Sequence, residues 1–211
     1  MPPLKLLALF AGFAAASPVL VDTLADVPSG HEVQITGTSY SGTGCPAGNV
    51  SAELSSDLTT LTLLYDQLKA EAGNSVSTFS YRRNCDLTVR LKYPQGWQFS
   101  VFKADYRGYA QIPAGDRGTS KANYFFSGDP RRANLRCSQI FSAVTIRGPY
   151  DGDYLKTDQF GGVQSTGWSP CGVEGLLNIH SEVRLSPMDT VKPALLTVTS
   201  LGTAVQWRRC R

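Results

Sequence analysis

The stretch CDLTVRLKY sets Cys85, Leu87, Val89, Leu91 and Tyr93 against Asp86, Thr88, Arg90 and Lys92 in strict alternation. A period of two is the signature of an extended strand with one buried and one wet face, so Cys85 points inward. The same period recurs along the chain. EVQIT puts Val33 and Ile35 on one face, NVSAEL and TLTLLY read as a hairpin around Ser56-Asp57, and LLNIHSEVRL alternates Leu177, Ile179, Val183 and Leu185 with Asn178, His180, Glu182 and Arg184. A last strand runs through TAVQWRR. After Tyr93, the sequence YPQGW predicts a type I turn with Pro94 and Gly96 at its second and fourth positions, from which a long strand returns at Trp97. Its apolar phase starts on Trp97, Phe99 and Val101 and then shifts to Phe102, Ala104, Tyr106, Gly108, Ala110 and Ile112. A one-residue shift exchanges the faces, so the spacing predicts a β-bulge near Val101 and Phe102. Only YDQLKAEAG, from Tyr65 to Gly73, reads as helical, with Gly73 as its cap. Six or more strands separated by Gly, Pro and Asp turns point to an all-β fold, an antiparallel β-sandwich of two sheets with one short helix at most.

The N-terminus reads as an export signal. Lys5 precedes an apolar run from Leu6 to Ala16 that ends on the small residues Ala14, Ala15 and Ala16. The expected organisation is a signal peptide over 1–16, an N-terminal extension over 17–32 and a single β-sandwich domain over 33–211. A run this short does not span a bilayer, which takes about 20 residues. TVKPALLTVTSLG, interrupted by Lys192, lacks the spacer and tail of a lipid-anchor signal, so no membrane anchor is expected and the localisation is secreted, extracellular. Lys and Arg number 20 against 17 Asp and Glu, and removing Lys5 with the leader narrows the excess to two. That excess is too small to imply a nucleic-acid partner, and none is expected. The basic pairs Arg82-Arg83, Arg131-Arg132 and Arg208-Arg209 lie far apart and read as solvated charge; GDPRRAN is the pair most open to cleavage.

GTGCP, RRNCDLTVRLKYPQGWQFSV, YRGYAQIPAG, GPYDGDY, WSPCG, NIHSEVRL and the terminal QWRRC resemble, in order, a secreted, mostly fungal family known only as domain of unknown function 4360. The resemblance runs from about Val33 to Cys210 and implies no established activity. It matches the family's recurring cysteines to Cys45, Cys85, Cys171 and Cys210 and leaves Cys137 unpaired. Five oxidisable cysteines admit fifteen ways of forming two bridges. With the four family positions in hand, order and face favour Cys45 with Cys85 and Cys171 with Cys210. The alternative, Cys137 paired and another cysteine free, stays open. NVS at Asn49 is a sequon beside the first bridge, a glycosylation site that a nearby strand and disulfide can equally hide.

Catalytic signals are few. The only histidines are His31 and His180, and G-x-S-x-G, H-E-x-x-H and phosphate-binding glycine loops are absent. His180, on the wet phase of its strand, reads as structural rather than as a general base. His31 would suit copper only as a new N-terminus, which the leader does not create. Carboxylates are better supplied: Asp151 and Asp153 in YDGDY share one face of an extended strand, and Asp105 lies on the polar phase of the bulged strand. These three are the candidates for glycoside hydrolysis, or for calcium, against a plain Gly-Asp turn; no cofactor and no metal is expected. Tyr109 on a polar phase, with Tyr150, Tyr154 and Trp168 expected in loops, are the candidates for stacking on a sugar or a partner. The expected function is a cell-wall-associated, carbohydrate-binding or host-interaction module, with wall polysaccharide or a host protein as partner. The alternative is a hydrolase or lyase acting on glycans through the carboxylates.

Overall fold

The computed structural model describes residues 27–127, 140–160, 167–172, 174–186 and 192–210. The expected leader, the extension up to residue 26, the Arg131-Arg132 pair and Cys137 lie outside these residues.

Among the described residues twelve strands follow one another: β1 Gln34–Ser41, β2 Val50–Leu54, β3 Thr60–Tyr65, β4 Lys69–Ala72, β5 Arg82–Lys92, β6 Trp97–Ile112, β7 Arg117–Ser127, β8 Ile140–Arg147, β9 Tyr150–Gln159, β10 Glu174–Ser186, β11 Ala194–Thr197 and β12 Ser200–Arg209. Short 3-10 turns occupy Gly30–Glu32 and Thr78–Tyr81. The first sheet has the order β1-β5-β10-β7-β8. The second has the order β2-β3-β12-β6-β11-β4, with β9 also pairing with β6. Every pairing is antiparallel. The two sheets enclose one continuous core, in which Leu87, Val89, Tyr106, Tyr124, Ile179 and Leu196 are almost fully buried.

The alternation in β5 and β10 survives as burial: Cys85, Leu87, Val89 and Leu91 face in, as do Leu177, Ile179, Val183 and Leu185. The hairpin of β2 with β3 forms as expected. So does the bulge: Val205 opposes Val101 and Ala204 opposes Lys103, leaving Phe102 as the extra residue of β6. That residue turns outward, 36% exposed, instead of opening the second buried phase, because a bulged residue leaves the ladder's alternation.

Two local expectations fail. The helix over Tyr65–Gly73 is the end of β3, a turn, and β4. Leu68, Ala70 and Ala72 are buried in alternation with exposed or half-exposed Lys69 and Glu71, and β4 pairs with β11. Lys-Ala-Glu-Ala has high helix propensity, but a ladder that buries alternate alanines outweighs it. The turn after Tyr93 lies one residue later than expected: Trp97 N–H donates to the carbonyl of Pro94 at 3.3 Å, with Gly96 at φ 79°. The chain that returns there does not pair with β5 but crosses to the other sheet.

Hydroxyl pairs tie the sheets together through the core. Tyr65 on β3 meets Ser181 on β10 at 2.8 Å, Tyr106 on β6 donates to Ser142 on β8 at 2.9 Å, and Tyr124 on β7 meets Thr203 on β12 at 3.1 Å. Each pair joins one sheet to the other, so a tyrosine can fill core volume without stranding its hydroxyl. At one end Phe99, Tyr93, Phe126 and Trp207 pack with ring centroids 5.1–5.9 Å apart, and Trp207 Nε1 donates to the Leu58 carbonyl.

Candidate functional site

The candidate residues fall mainly on the second sheet, where β9 runs beside β6 with Asp153 opposite Tyr109 and Asp151 opposite Gln111. Thr197, at the end of β11, holds this stretch in place. Its hydroxyl accepts from Tyr109 N–H at 2.8 Å and donates to the Tyr109 carbonyl at 3.1 Å, while its carbonyl accepts from the Tyr154 hydroxyl at 2.5 Å. Such close approach needs glycine at 108, where a Cβ would lie 2.1 Å from the Thr197 carbonyl oxygen.

On this clamped backbone Tyr109 donates its hydroxyl to Asp151 Oδ1, and Tyr150 donates to the Asp153 carbonyl at 2.8 Å. The carboxylate beside Tyr109 raises the phenol pKa above its ordinary value. Asp151 and Asp153 are both exposed on one face of β9, as the spacing predicted. Beside them opens a cavity of about 480 Å³ lined by Tyr150, Asp151, Gln111, Lys192 and flanking prolines. The site thus offers a carboxylate, a carboxamide, an ammonium, a phenol and flat apolar faces within one rim.

Asp105 is not part of it. Its cross-strand partner is Thr157, which donates to its carboxylate, and Lys103 bridges it at 2.9 Å. Partial burial works against ionisation there, but the Thr157 and Lys103 hydrogen bonds outweigh it and the carboxyl titrates below the usual range. Four residues of β9 separate Thr157 from Asp153, roughly 13 Å of strand.

The aromatic candidates divide. Tyr150 and Tyr154 lie on β9 rather than in loops, because the turn expected around Gly152 continues as strand. Tyr154 is buried, 5% exposed, with its hydroxyl on Thr197 and Ser120, and burial pushes its pKa up to about 12. It is a core residue. Trp168 is half-buried and lies under the Arg208 guanidinium, 3.7 Å from the ring centroid. Arg208 pairs in register with Gln98 at the start of β6, eleven residues from Tyr109, so Trp168 stands roughly 35 Å of strand away from the Tyr109 rim.

One pairing escaped the sequence reading. His180 Nδ1 lies 2.6 Å from Asp86 Oδ1 on the wet face of the first sheet. They are register partners on β10 and β5, a relationship visible only once the two alternating strands are aligned. On the same face Glu182 is buried rather than wet. Arg82 Nε donates to it at 2.6 Å and Lys121 Nζ bridges it at 3.0 Å, and together they cover it. Among the described residues no group of three His, Cys, Asp or Glu side chains is arranged to hold a metal ion, and no helix is long and apolar enough to cross a membrane.

Cys45 is bonded to Cys85 and Cys171 to Cys210, closing loops of 40 and 39 residues. The second bridge, with Cys210 N–H donating to the Gly96 carbonyl at 2.7 Å, holds the end of β12. Asn49 lies in the turn before β2, half-buried, its Nδ2 3.4 Å from the Pro46 carbonyl.

These features define a disulfide-stapled antiparallel β-sandwich. Residues 31–210 match the family described as domain of unknown function (DUF4360), and the chain belongs to that family. A relative from Arthroderma benhamiae, called an uncharacterized secreted protein, is 44% identical over 191 residues, covering 88% of this chain and 75% of its own. Among solved structures, TmCBM61 in complex with β-1,4-galactotriose aligns at 10% identity over 87% of this chain and 95% of its own, with a TM-score of 0.22. A CBM4 structure aligns at 9% identity over 81% and 86%, with a TM-score of 0.23. Scores this low carry no argument about fold or ligand.

Proposed function

We propose that the chain is a secreted, wall-associated carbohydrate-binding module whose glycan site is the β6–β9 rim around Tyr109, Tyr150 and Asp151. The observation that supports it is the Tyr109–Asp151 hydrogen bond at the edge of a cavity of about 480 Å³ that is lined by polar groups, the Tyr150 ring and prolines. Sugars present hydroxyls at their edges and C–H groups on their faces, so a site for them combines a few placed polar groups with apolar or aromatic walls. The Thr197 clamp supports the same reading, since a pre-ordered rim loses less entropy when a ligand is seated. Two disulfides and the apolar leader suit an oxidising extracellular setting.

The test is a glycan array with recombinant mature protein, assayed in parallel for release of reducing ends. Tyr150→Ala and Asp151→Asn should each weaken retention on the bound glycan, on the order of tenfold for a stacked ring or a charge-assisted hydrogen bond. Retention unchanged in both variants would sink the site. Binding to no glycan would shift the reading to a host protein partner.

A hydrolase or lyase reading keeps one supporting observation. Asp151 and Asp153 face the same way two residues apart, about 7 Å along a strand, which suits paired carboxylates in glycoside hydrolysis. Turnover by the wild type that Asp151→Asn or Asp153→Asn abolishes would decide for that reading.

A further inference from the structure

The wet face of the first sheet holds an oriented imidazole. His180 Nδ1 donates to Asp86 Oδ1 at 2.6 Å, and Asn84 Nδ2 donates to Asp86 Oδ2 at 3.1 Å. Asn84 is fixed in turn by Thr43, whose hydroxyl donates to its Oδ1 at 3.1 Å and accepts from its N–H at 3.2 Å. Cys85, between Asn84 and Asp86, carries the bridge to Cys45 and staples this chain of contacts to the sheet. A carboxylate only accepts, so the proton sits on Nδ1 and Nε2 of the neutral ring is left as an acceptor.

Backbone register lines up the neighbours. His180 lies between Asp86 on β5 and Asn123 on β7, and Asn123 faces Phe141 on β8. With strands about 4.8 Å apart, the row runs roughly 14 Å across four strands. Two residues along, Thr88 donates to Asn178 Oδ1 at 2.8 Å, Asn178 Nδ2 donates to Ser127 Oγ at 2.9 Å, and Phe125 opposes Asn178. Among the described residues neither His180 Nε2 nor the Asn123 side chain makes a hydrogen bond, and the Phe141 ring is 50% exposed. The charges around the row are paired within the face: Glu182 with Arg82 and Lys121, Arg90 with Glu174, and Asp86 with His180. Arg184, the remaining charged residue of β10, is four positions from His180, roughly 13 Å of strand.

We infer that this face is a second carbohydrate-binding surface, one that takes a neutral glycan chain laid across β5, β10, β7 and β8. The compensated charge carries the assignment, since a polyanion or polycation finds no unpaired partner in the row. Sugar hydroxyls fit an unbonded imidazole nitrogen and carboxamide, and their C–H faces fit the Phe141 and Phe125 rings. Side chains already held by Asp86, Asn84 and Thr43 lose little freedom when a ligand is seated. An extended peptide would need a free strand edge for backbone pairing, whereas β5, β10 and β7 each have a strand on both sides. The inference does not rest on the Tyr109–Asp151 rim, which belongs to the other sheet.

The test is affinity electrophoresis of the recombinant mature protein in gels containing laminarin, galactomannan or hydroxyethylcellulose, with polygalacturonate as the charged control. His180→Ala, Asn123→Ala, a Tyr150→Ala/Asp151→Asn rim variant and Phe79→Ala, which trims an exposed ring outside both surfaces, are run beside the wild type. The expected result is retardation by at least one neutral polymer that weakens on the order of tenfold in His180→Ala and in Asn123→Ala, persists in Phe79→Ala and in the rim variant, and is level between about 50 and about 300 mM salt. No retardation by any neutral polymer, or retardation by polygalacturonate alone that fades with salt, would overturn the inference. Retardation lost in the rim variant but kept in His180→Ala and Asn123→Ala would also overturn it and leave the rim reading standing; the reverse pattern supports it and sinks the rim. Partial losses that add when the two sets are combined place both surfaces in use. A melting temperature of His180→Ala within about 2 °C of wild type keeps a binding loss from being a folding loss. If it melts lower, Asn123→Ala, which breaks no hydrogen bond among the described residues, is the deciding variant.

Discussion

The hydroxyl of Tyr65 on β3 lies 2.8 Å from that of Ser181 on β10, both buried, and the pair spans the two sheets of the sandwich. Removing one partner strands the other in the core, which costs more than the hydrogen bond itself is worth. Tyr65→Phe and Ser181→Ala should therefore each destabilise by about 1–2 kcal/mol, and the double variant should lose less than the sum of the two. Tyr81 is the contrast. It is equally buried, but its hydroxyl finds no partner among the described residues, so Tyr81→Phe should be neutral or stabilising. Urea denaturation of the four variants measures this, and a cost for Tyr81→Phe equal to that of Tyr65→Phe would contradict it.

The same tyrosines set an alkaline limit. Burial raises the phenol pKa of Tyr65, Tyr106, Tyr124 and Tyr154 above the ordinary value of 10, Tyr154 to about 12. The native state therefore holds these protons more tightly than the unfolded chain. The stability they add is fully present below pH 10 and is lost as the pH rises from there through the native values. Melting temperature should be level with respect to these groups near neutrality and fall steeply above about pH 10. A spectrophotometric titration should show the late tyrosines ionising together with loss of structure. Reversible ionisation of all tyrosines near pH 10 in folded protein would exclude this account.

The two bridges consume four of the five cysteines, so the prediction is that Cys137, outside the described residues, carries the free thiol. Denatured but unreduced protein should show one alkylatable thiol that maps to Cys137, or a reducible dimer formed through it. A peptide map that joins Cys137 to any of the other four would contradict the pairing.

What was legible in the sequence follows from what period two encodes. Leu87, Val89, Leu177 and Ile179 announced strands and their buried faces, and the phase slip at Val101 and Phe102 announced the bulge, because both are properties of one strand read by itself. Partnership between strands is not. Whether β6 pairs with β5 or crosses to the other sheet, and whether His180 faces Asp86, depends on long-range register. Tyr154 misled for a related reason. The glycine and two aspartates before it suggested a turn, yet pairing with β6 extends β9 through them and puts the ring in the core. Lys69 to Ala72 misled because alternate alanines satisfy helix propensity and strand burial alike.

Tyr150 and Tyr154, four residues apart on β9, should separate cleanly when each is replaced. Tyr154 is 5% exposed and bonds to Thr197 and Ser120, so Tyr154→Ala should cost about 3 kcal/mol or more through cavity formation and an unsatisfied Thr197 carbonyl. Tyr150 is only partly buried, and Tyr150→Ala should cost well under that.

The tail is the last test, because β12 ends in a bridge instead of fraying. Trp207 packs against Tyr93 and Phe99 and donates to the Leu58 carbonyl, while Arg209 opposes Trp97 and Cys210 bonds to both Cys171 and the Gly96 carbonyl. Truncation after Arg208 removes the bridge and the final rung together. In the chain-entropy account the bridge over this loop contributes roughly 3–4 kcal/mol, so truncation should lower the melting temperature on the order of 10 °C and reduce the yield of secreted protein. Cys171→Ser/Cys210→Ser, which keeps Arg209 and its ring contact, should reproduce most of the loss. If the truncated chain melts with the wild type, the tail is dispensable. If only the truncation and not the serine variant is destabilised, the final rung rather than the bridge holds β12.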